Sequence, residues 1–252
     1  FEKYFQPTFK ANFPNTRLIE GGINIPSDAF PNNMTGIIGG PPCQAWSEGG
    51  KQLGFEDPRG QLFLEYIRIV NLKKPKFFVI ENVQGILEDK HKQSLTFIIE
   101  SLRSIGYSIS YQLLNAGDFR IPQDRLRVFF VGIRNDLQST FDFPNSMPGK
   151  KVTLREAIGD IIEKPRFFTT EMVMSEHPTR KNHDVYTGSY DAKYMARNRV
   201  RTWNEQSFTI QAQARNEPQH PQAPKMTYVS PNVRIFAKGY EHLYRRLSVR
   251  EC

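Results

Sequence analysis

Gly36-Ile37-Ile38-Gly39-Gly40-Pro41-Pro42-Cys43-Gln44-Ala45-Trp46-Ser47 decides how the rest of the chain reads. Gly36-Ile37-Ile38 is a short apolar run of the kind that forms a buried strand. Two glycines and two prolines then stop it in a sharp, stiff turn, because proline fixes φ and removes an amide donor. A cysteine follows, its thiol held in a preset direction. Gly49, Gly50, Gly54 and Gly60 come next, in a polar loop suited to act as a lid. A positioned thiol beneath a movable loop is what covalent catalysis requires. A lone Pro-Cys pair at a strand end is more often inert core, so the decision rests on residues further along.

Outward from this turn, strand and helix alternate. Upstream, Thr8 to Pro14 reads as a helix end running into a turn, and Arg17-Leu18-Ile19-Glu20 as a short strand before Gly21-Gly22. Downstream, Leu62, Phe63, Tyr66, Ile67, Ile69 and Val70 fall at helical spacing, and Pro75 ends that helix. Phe77 to Ile80 is a continuous apolar run, the pattern of a strand buried on both faces, and Glu81-Asn82-Val83 closes it. Leu95, Ile98, Ile99, Leu102 and Ile105 predict a second amphipathic helix stopped at Gly106. Tyr107 to Leu114 and Val128 to Ile133 predict strands. Through about residue 134 the alternation predicts an α/β unit, a parallel sheet covered by helices.

Beyond Phe141-Asp142-Phe143-Pro144 the pattern changes. Thr153 with Glu156 is a capping box opening a helix to about Ile162. From Lys164 to Lys238 no period is sustained, and pieces such as Ser207-Phe208-Thr209-Ile210-Gln211 are β-like within an irregular lobe. Ser248 with Glu251 is another capping box, with Leu247 as its staple, and the chain stops at Cys252 before that helix can grow. The sequence therefore reads as a fragment of a larger domain, cut at both ends. Three regions follow: 1–162 catalytic, 163–240 an irregular recognition lobe, and 241–252 the start of a helix returning to the first region.

The 252 residues, 38% hydrophobic and 24% charged, suffice for one large domain or a domain with a smaller lobe. No apolar run is long enough to span a bilayer, and Phe1-Glu2-Lys3-Tyr4 has no signal-peptide pattern. With only Cys43 and Cys252, neither a disulfide framework nor a Cys-based zinc site is implied, which points to a reducing compartment and no metal. The net charge of +8 is uneven. Residues 151–252 hold 17 Lys and Arg against 11 Asp and Glu, a net +6. Such a basic half suits a polyanion such as nucleic acid, and charge alone suits a solvated surface equally well.

Three chemical signals share the α/β half: Cys43 on its turn, Glu81 ending a buried strand, and Gln123-Asp124-Arg125-Leu126-Arg127 preceding another. Each sits near a strand terminus, where α/β proteins build their sites. Alone, Glu81 reads equally well as a strand-end carboxylate paired to a lysine, and Arg125 with Arg127 as a surface face.

Together, Gly-Gly-Pro-Pro-Cys-Gln, Glu-Asn-Val, Gln-x-Arg-x-Arg and Arg246-Leu247-Ser248-Val249-Arg250-Glu251-Cys252 resemble the ordered motifs of the cytosine-5 DNA methyltransferases. The resemblance covers essentially the whole chain. It implies a Rossmann-like S-adenosylmethionine-dependent methyltransferase sheet, lacking its first strand here, plus a smaller irregular target-recognition lobe. It assigns Cys43 as the nucleophile that adds to cytosine C6, Glu81 as the partner of N3 and the exocyclic amine, and Arg127, with Arg125 nearby, to O2. Because C5 is inaccessible in a duplex, the cytosine is flipped out. Gln44, Ser47 and Gln123 are implied to touch DNA.

The resemblance narrows in the irregular lobe. Arg197-Asn198-Arg199-Val200-Arg201-x-Trp203-Asn204-Glu205 and His220-Pro221-Gln222-Ala223-Pro224 are similar to the GGCC-specific HaeIII-type modification enzymes. Arg197, Arg199 and Arg201 alternate, so a strand would aim all three one way, and Arg215 follows. Arginine is the usual bidentate reader of guanine, so Arg199, Arg201 and Arg215 are candidate base contacts; gripping phosphate is the plainer alternative. The implied protein is a cytoplasmic bacterial enzyme of a restriction–modification system, acting as a monomer on double-stranded DNA with S-adenosyl-L-methionine as cofactor, with no membrane and no metal.

The chain also departs from the family pattern. The Gly-rich loop for the cofactor's methionine end is absent, and the family's Gly-Asp-Ile appears as Gly21-Gly22-Ile23. Phe1, Ile23, Pro42 and Leu62 remain as cofactor contacts. That truncated cofactor site keeps a catalytically silent DNA-binding relative open beside the enzyme. A tRNA cytosine-5 methyltransferase is a third reading, which the long basic lobe disfavours.

Overall fold

The computed structural model describes residues 5–19, 24–41, 58–168, 181–211 and 214–252, and within them the apolar runs become strands of one sheet. Helix α1 (Phe5–Asn12) ends just before Pro14. Next come β1 (Gly36–Gly39), α2 (Pro58–Lys73), β2 (Phe77–Val83), α3 (Lys92–Ser104), β3 (Tyr107–Asn115), β4 (Gln123–Asp124) and β5 (Leu126–Arg134). The chain folds as two units, Phe1–Leu114 with Leu126–Pro144, and Asn115–Arg125 with Asn145–Cys252.

In the first unit the sheet order is β1-β2-β5-β3. β1 runs parallel to β2, with Gly36 opposite Phe77 and Gly39 opposite Ile80. β5 runs antiparallel to β2, with Phe77 opposite Ile133 and Val83 opposite Arg127. The sheet is thus mixed, not the parallel sheet that the alternation predicts. Only residues 116–125 separate β3 from β5, too few for the helical crossover a parallel return needs. Nor do Arg17, Leu18 and Ile19 lie in the expected strand; Glu20, the last residue of that run, lies outside the described residues.

The core lies on one face. Phe78, Ile80, Val128 and Phe130 from the strands meet Phe63 and Val70 of α2 and Ile98 and Leu102 of α3. Each such buried side chain contributes about 1.5–3 kcal/mol. Phe77 and Val79, on the opposite face, are only half-buried, so β2 is not covered equally on both sides as its apolar run suggests. Gly132 lies opposite Phe78, and a Cβ there would fall 2.2 Å from the Phe78 ring. Gly106, at φ 95°, takes the left-handed conformation that ends α3.

The second unit has little regular structure: α4 (Leu154–Ile158), β6 (Arg166–Phe168), β7 (Asp184–Tyr186), α5 (Ala192–Met195), β8 (Ser207–Phe208), β9 (Thr227–Ser230) and β10 (Val233–Ile235). Three two-stranded pairs form, β6 with β7 and β4 with β8 in parallel, and β9 with β10 antiparallel. The capping box of Thr153 and Glu156 is formed, but α4 stops at Ile158, where Gly159 caps it. Ile162 is 87% exposed and offers no packing that would extend the helix to it. The second box also forms, with Ser248 N donating to Glu251 and Glu251 N to Ser248 Oγ, and a turn follows it.

Its core mixes apolar and polar groups. Val200, Ala223, Met226 and Tyr244 make one cluster, Leu154, Ile158 and Leu247 another. Arg246 is 1% exposed. Its guanidinium lies 3.9 Å over the Tyr190 ring and donates to the carbonyls of Tyr186, Gly188, Ser189 and Arg215. A charge buried this deeply persists only with its donors satisfied, and backbone carbonyls satisfy them here.

Candidate active site

In the first unit the site grows from the carboxyl end of β1. The chain leaves Gly39 through Gly40 and Pro41, and Asn82 donates from Nδ2 to the Pro41 carbonyl at 3.2 Å. Asn82 is 5% exposed, and its Oδ1 accepts from Val83 N at 2.8 Å. A buried amide with both ends engaged fixes the turn against β2. A Cβ on Gly40 would stand 3.4 Å from Glu81 Oε2, so the turn passes at van der Waals distance from that carboxylate.

Register then brings Glu81 to Arg127. Glu81 is opposite Phe129 and Val83 opposite Arg127, so Glu81 and Arg127 are diagonal neighbours on one face of the antiparallel pair. Arg127 Nε lies 2.7 Å from Glu81 Oε1, with the side chains 20% and 37% exposed. A carboxylate and a guanidinium, oriented together and open on one side, can hydrogen-bond a polar ring edge.

Cys43, Gln44, Ser47, Pro42, Ile23 and Phe1 lie outside the described residues. Leu62, on α2, is half-buried. The other cysteine, Cys252, donates to Glu217 Oε2 at 3.3 Å, and burial, then the neighbouring Glu217 carboxylate, pushes its thiol well above the usual range. Among the described residues no group of three or more His, Cys, Asp or Glu could hold a metal ion, and no helix is long and apolar enough to cross a membrane.

In the second unit, the Gln123-Asp124-Arg125 segment is tied down residue by residue. Gln123 and Asp124 pair with Ser207 and Phe208. Gln123 Oε1 accepts from Ile210 N at 3.3 Å, and Thr209 Oγ1 donates to the Asp124 carbonyl at 2.9 Å. Arg125 donates to the Ile210 carbonyl at 3.4 Å, and its amide donates to Asn115 Oδ1 at 3.1 Å. Asp124 accepts from Asn115 Nδ2 at 2.8 Å on one oxygen and from Arg201 at 3.1 Å on the other.

The arginines of the recognition segment do not share a strand. Only Val200 makes a bridge, to Gln219, and the side chains part company. Arg197 is exposed. Arg199 lies 4.7 Å over the Tyr194 ring and donates to the Tyr194 carbonyl, and desolvation lowers its pKa. Arg201 lies 4.2 Å over Phe208 and reaches Glu205 at 3.3 Å as well as Asp124. Arg215 is exposed on a single 3-10 turn. The alternation at 197, 199 and 201 fails to make a strand because Arg199 and Arg201 each find their own aromatic and polar partners. Reading the motifs alone passes over Asn82, Asn115 and Asp124; Asn82 and Asp124 are polar residues inside quoted motifs, and Asn115 carries no such signal.

The comparisons with known proteins agree on one family. A profile described as C-5 cytosine-specific DNA methylase matches residues 1–252. The chain is 43% identical over 255 residues to the Type II methyltransferase M.NgoPII of Neisseria gonorrhoeae, covering 100% of this chain and 74% of that protein. It is 48% identical over 220 residues to M.MthTI of Methanothermobacter thermautotrophicus, covering 87% of this chain and 66% of that one. Among solved structures, the Entamoeba histolytica methyltransferase EhMeth aligns over 99% of this chain and 73% of its own, with a TM-score of 0.62 and 15% identity, a likeness of fold.

Proposed function

The chain belongs to the C-5 cytosine-specific DNA methylase family, and from that premise we propose that it methylates C5 of a cytosine flipped out of duplex DNA, within GGCC. The modification would protect the site from a cognate restriction enzyme in the bacterial cytoplasm, the protein acting as a monomer on DNA. The observation that carries the chemistry is the 2.7 Å pair of Glu81 and Arg127 on the sheet face, where the Gly40-Pro41 turn passes close to Glu81.

Cytosine C5 is too weak a nucleophile to take a methyl group unaided. In this reading the Cys43 thiolate forms a bond to C6, and the ring's displaced electron pair makes C5 electron-rich. N3 gains density in that step, and the Glu81 carboxyl, in its protonated form, donates to N3 while its other oxygen accepts from the exocyclic amine. O2 gains density too and meets Arg127, which Glu81 orients. After transfer, loss of the C5 proton and of the thiolate restores the aromatic ring.

S-adenosyl-L-methionine, when bound, supplies an electrophilic methyl group. Among the described residues Leu62, half-buried on α2, is its proposed apolar contact. Phe1, Ile23 and Pro42 are its other proposed contacts.

Flipping costs a few kcal/mol of unstacking, which phosphate contacts from the basic half offset. Arg197, Arg199, Arg201 and Arg215 are the proposed readers of guanine and phosphate, with Gln44, Ser47 and Gln123 also at the DNA. Arg199 and Arg201 are pre-oriented by stacking on Tyr194 and Phe208. The test is methyl incorporation into a GGCC duplex, a duplex with one base pair changed, and tRNA. Incorporation into the first alone, abolished by Cys43→Ala, supports the reading. Incorporation into tRNA alone, or activity surviving Cys43→Ala, ends it.

A further inference from the structure

We propose that Asp124 is a positioning residue that links the recognition arginines to the catalytic ones. This deepens the methyltransferase reading above and rests on it. Asp124 lies between Gln123 and Arg125, and no role in the chemistry requires a carboxylate there. Yet both of its oxygens are engaged, Oδ1 by Asn115 Nδ2 at 2.8 Å and Oδ2 by Arg201 at 3.1 Å. Arg201 is in turn held from a second side by Glu205 and from its face by the Phe208 ring.

The consequence follows from covalent continuity. Arg201, Glu205 and Phe208 belong to the 201–210 stretch, which also receives the backbone of Gln123 and Asp124 through β8. The chain passes from the second unit to the first between Arg125 and Leu126. A shift of Arg201 on meeting a base pulls on Asp124, and Arg125 and Arg127 are the next two charged residues along that backbone. Asn115 reinforces the link, because the same side chain holds the Asp124 carboxylate and the Arg125 amide. The pair itself is half-exposed, 27% for Arg201 and 42% for Asp124, so it adds little to stability. Its effect falls on where the arginines sit.

The test uses the full chain and the single-turnover transfer rate at saturating duplex, on GGCC and on a duplex with one outer base pair changed. Asp124→Asn keeps an acceptor for Asn115 and removes the charge that holds Arg201. It should slow transfer on GGCC about tenfold, leave the slow rate on the altered duplex unchanged, and move DNA affinity less than about threefold. A double variant with Arg201→Gln should be no slower than the slower single. Equal slowing on both duplexes, additive effects, or a rate and discrimination like those of the parent overturn the proposal. Should Asp124→Asn fail to fold, Asp124→Ser carries the same comparison, because it too removes the charge facing Arg201 and leaves an oxygen acceptor for Asn115. A parent chain that methylates no duplex sinks the methyltransferase reading and this inference with it; an active parent matched by Asp124→Asn sinks the inference alone.

Discussion

Asn82 does two jobs with one side chain. It holds the Pro41 carbonyl and the Val83 amide at once, and it is nearly inaccessible. Asn82→Leu strands both partners in a dry setting and should destabilise the first unit by about 1–3 kcal/mol, read as a lower denaturant midpoint. Glu81 makes the opposite case. It is 37% exposed, so its pair with Arg127 adds little to stability. Glu81→Gln should leave the stability within about 0.5 kcal/mol of the parent while methyl transfer falls by about a hundredfold or more, as expected for a lost hydrogen-bond partner of developing charge. If both quantities fell together, Glu81 would be holding up the fold instead. Glu81 and the two arginines were legible as motif residues; their pairing was not, because register and not spacing sets which strand neighbours meet.

At the scale of elements, β2 and β5 depend on close approach. Gly132→Ala places a methyl group on the Phe78 ring and should cost about 1–3 kcal/mol, measured by chemical denaturation. The capped turn at 248–251 carries a pH dependence. Glu251 accepts two bonds from Arg245, and His220 Nε2 lies 3.5 Å from it. Burial, with Arg245 adding to it and Glu251 opposing it, lowers His220 from 6.5 to about 4. The unfolded chain takes up that proton near 6.5 and the folded chain only near 4, so this stability is full above 6.5 and lost as pH falls to 4. Its size is about 3 kcal/mol. Burial alone would raise Glu251, but Arg245 overcomes it and holds the carboxyl at about 2, so its share is lost between 4.5 and 2. Thermal melts across pH should show the first fall, and His220→Gln should flatten it between 6.5 and 4. Both capping boxes were readable from four-residue patterns because their bonds are local. The arginine strand at 197–201 was misjudged because stacking on Tyr194 and Phe208 and, for Arg201, the distant Asp124 carboxylate outweighed alternation.

For the whole molecule, charge is the property that matters. Residues 151–252 carry a net +6. If the four recognition arginines neutralise phosphates, DNA affinity should drop about a hundredfold between about 50 and 200 mM salt, and Arg197→Ala should reduce the log–log salt slope by about 0.9. A slope near zero would count against duplex DNA as the partner. The sequence by itself determined the strands and helices from Gly36 to Arg134 apart from the short β4, the caps, and the motif residues, because apolar periodicity, proline and glycine act locally on the backbone. It also carried the family, because spaced motifs survive as chemistry. Tertiary structure alone decided the antiparallel course of β5, the meeting of Glu81 with Arg127, and the fastening of Asp124 to Arg201. Each of these joins residues far apart in the chain, where the free energy of pairing depends on what else is packed nearby and no local pattern records it.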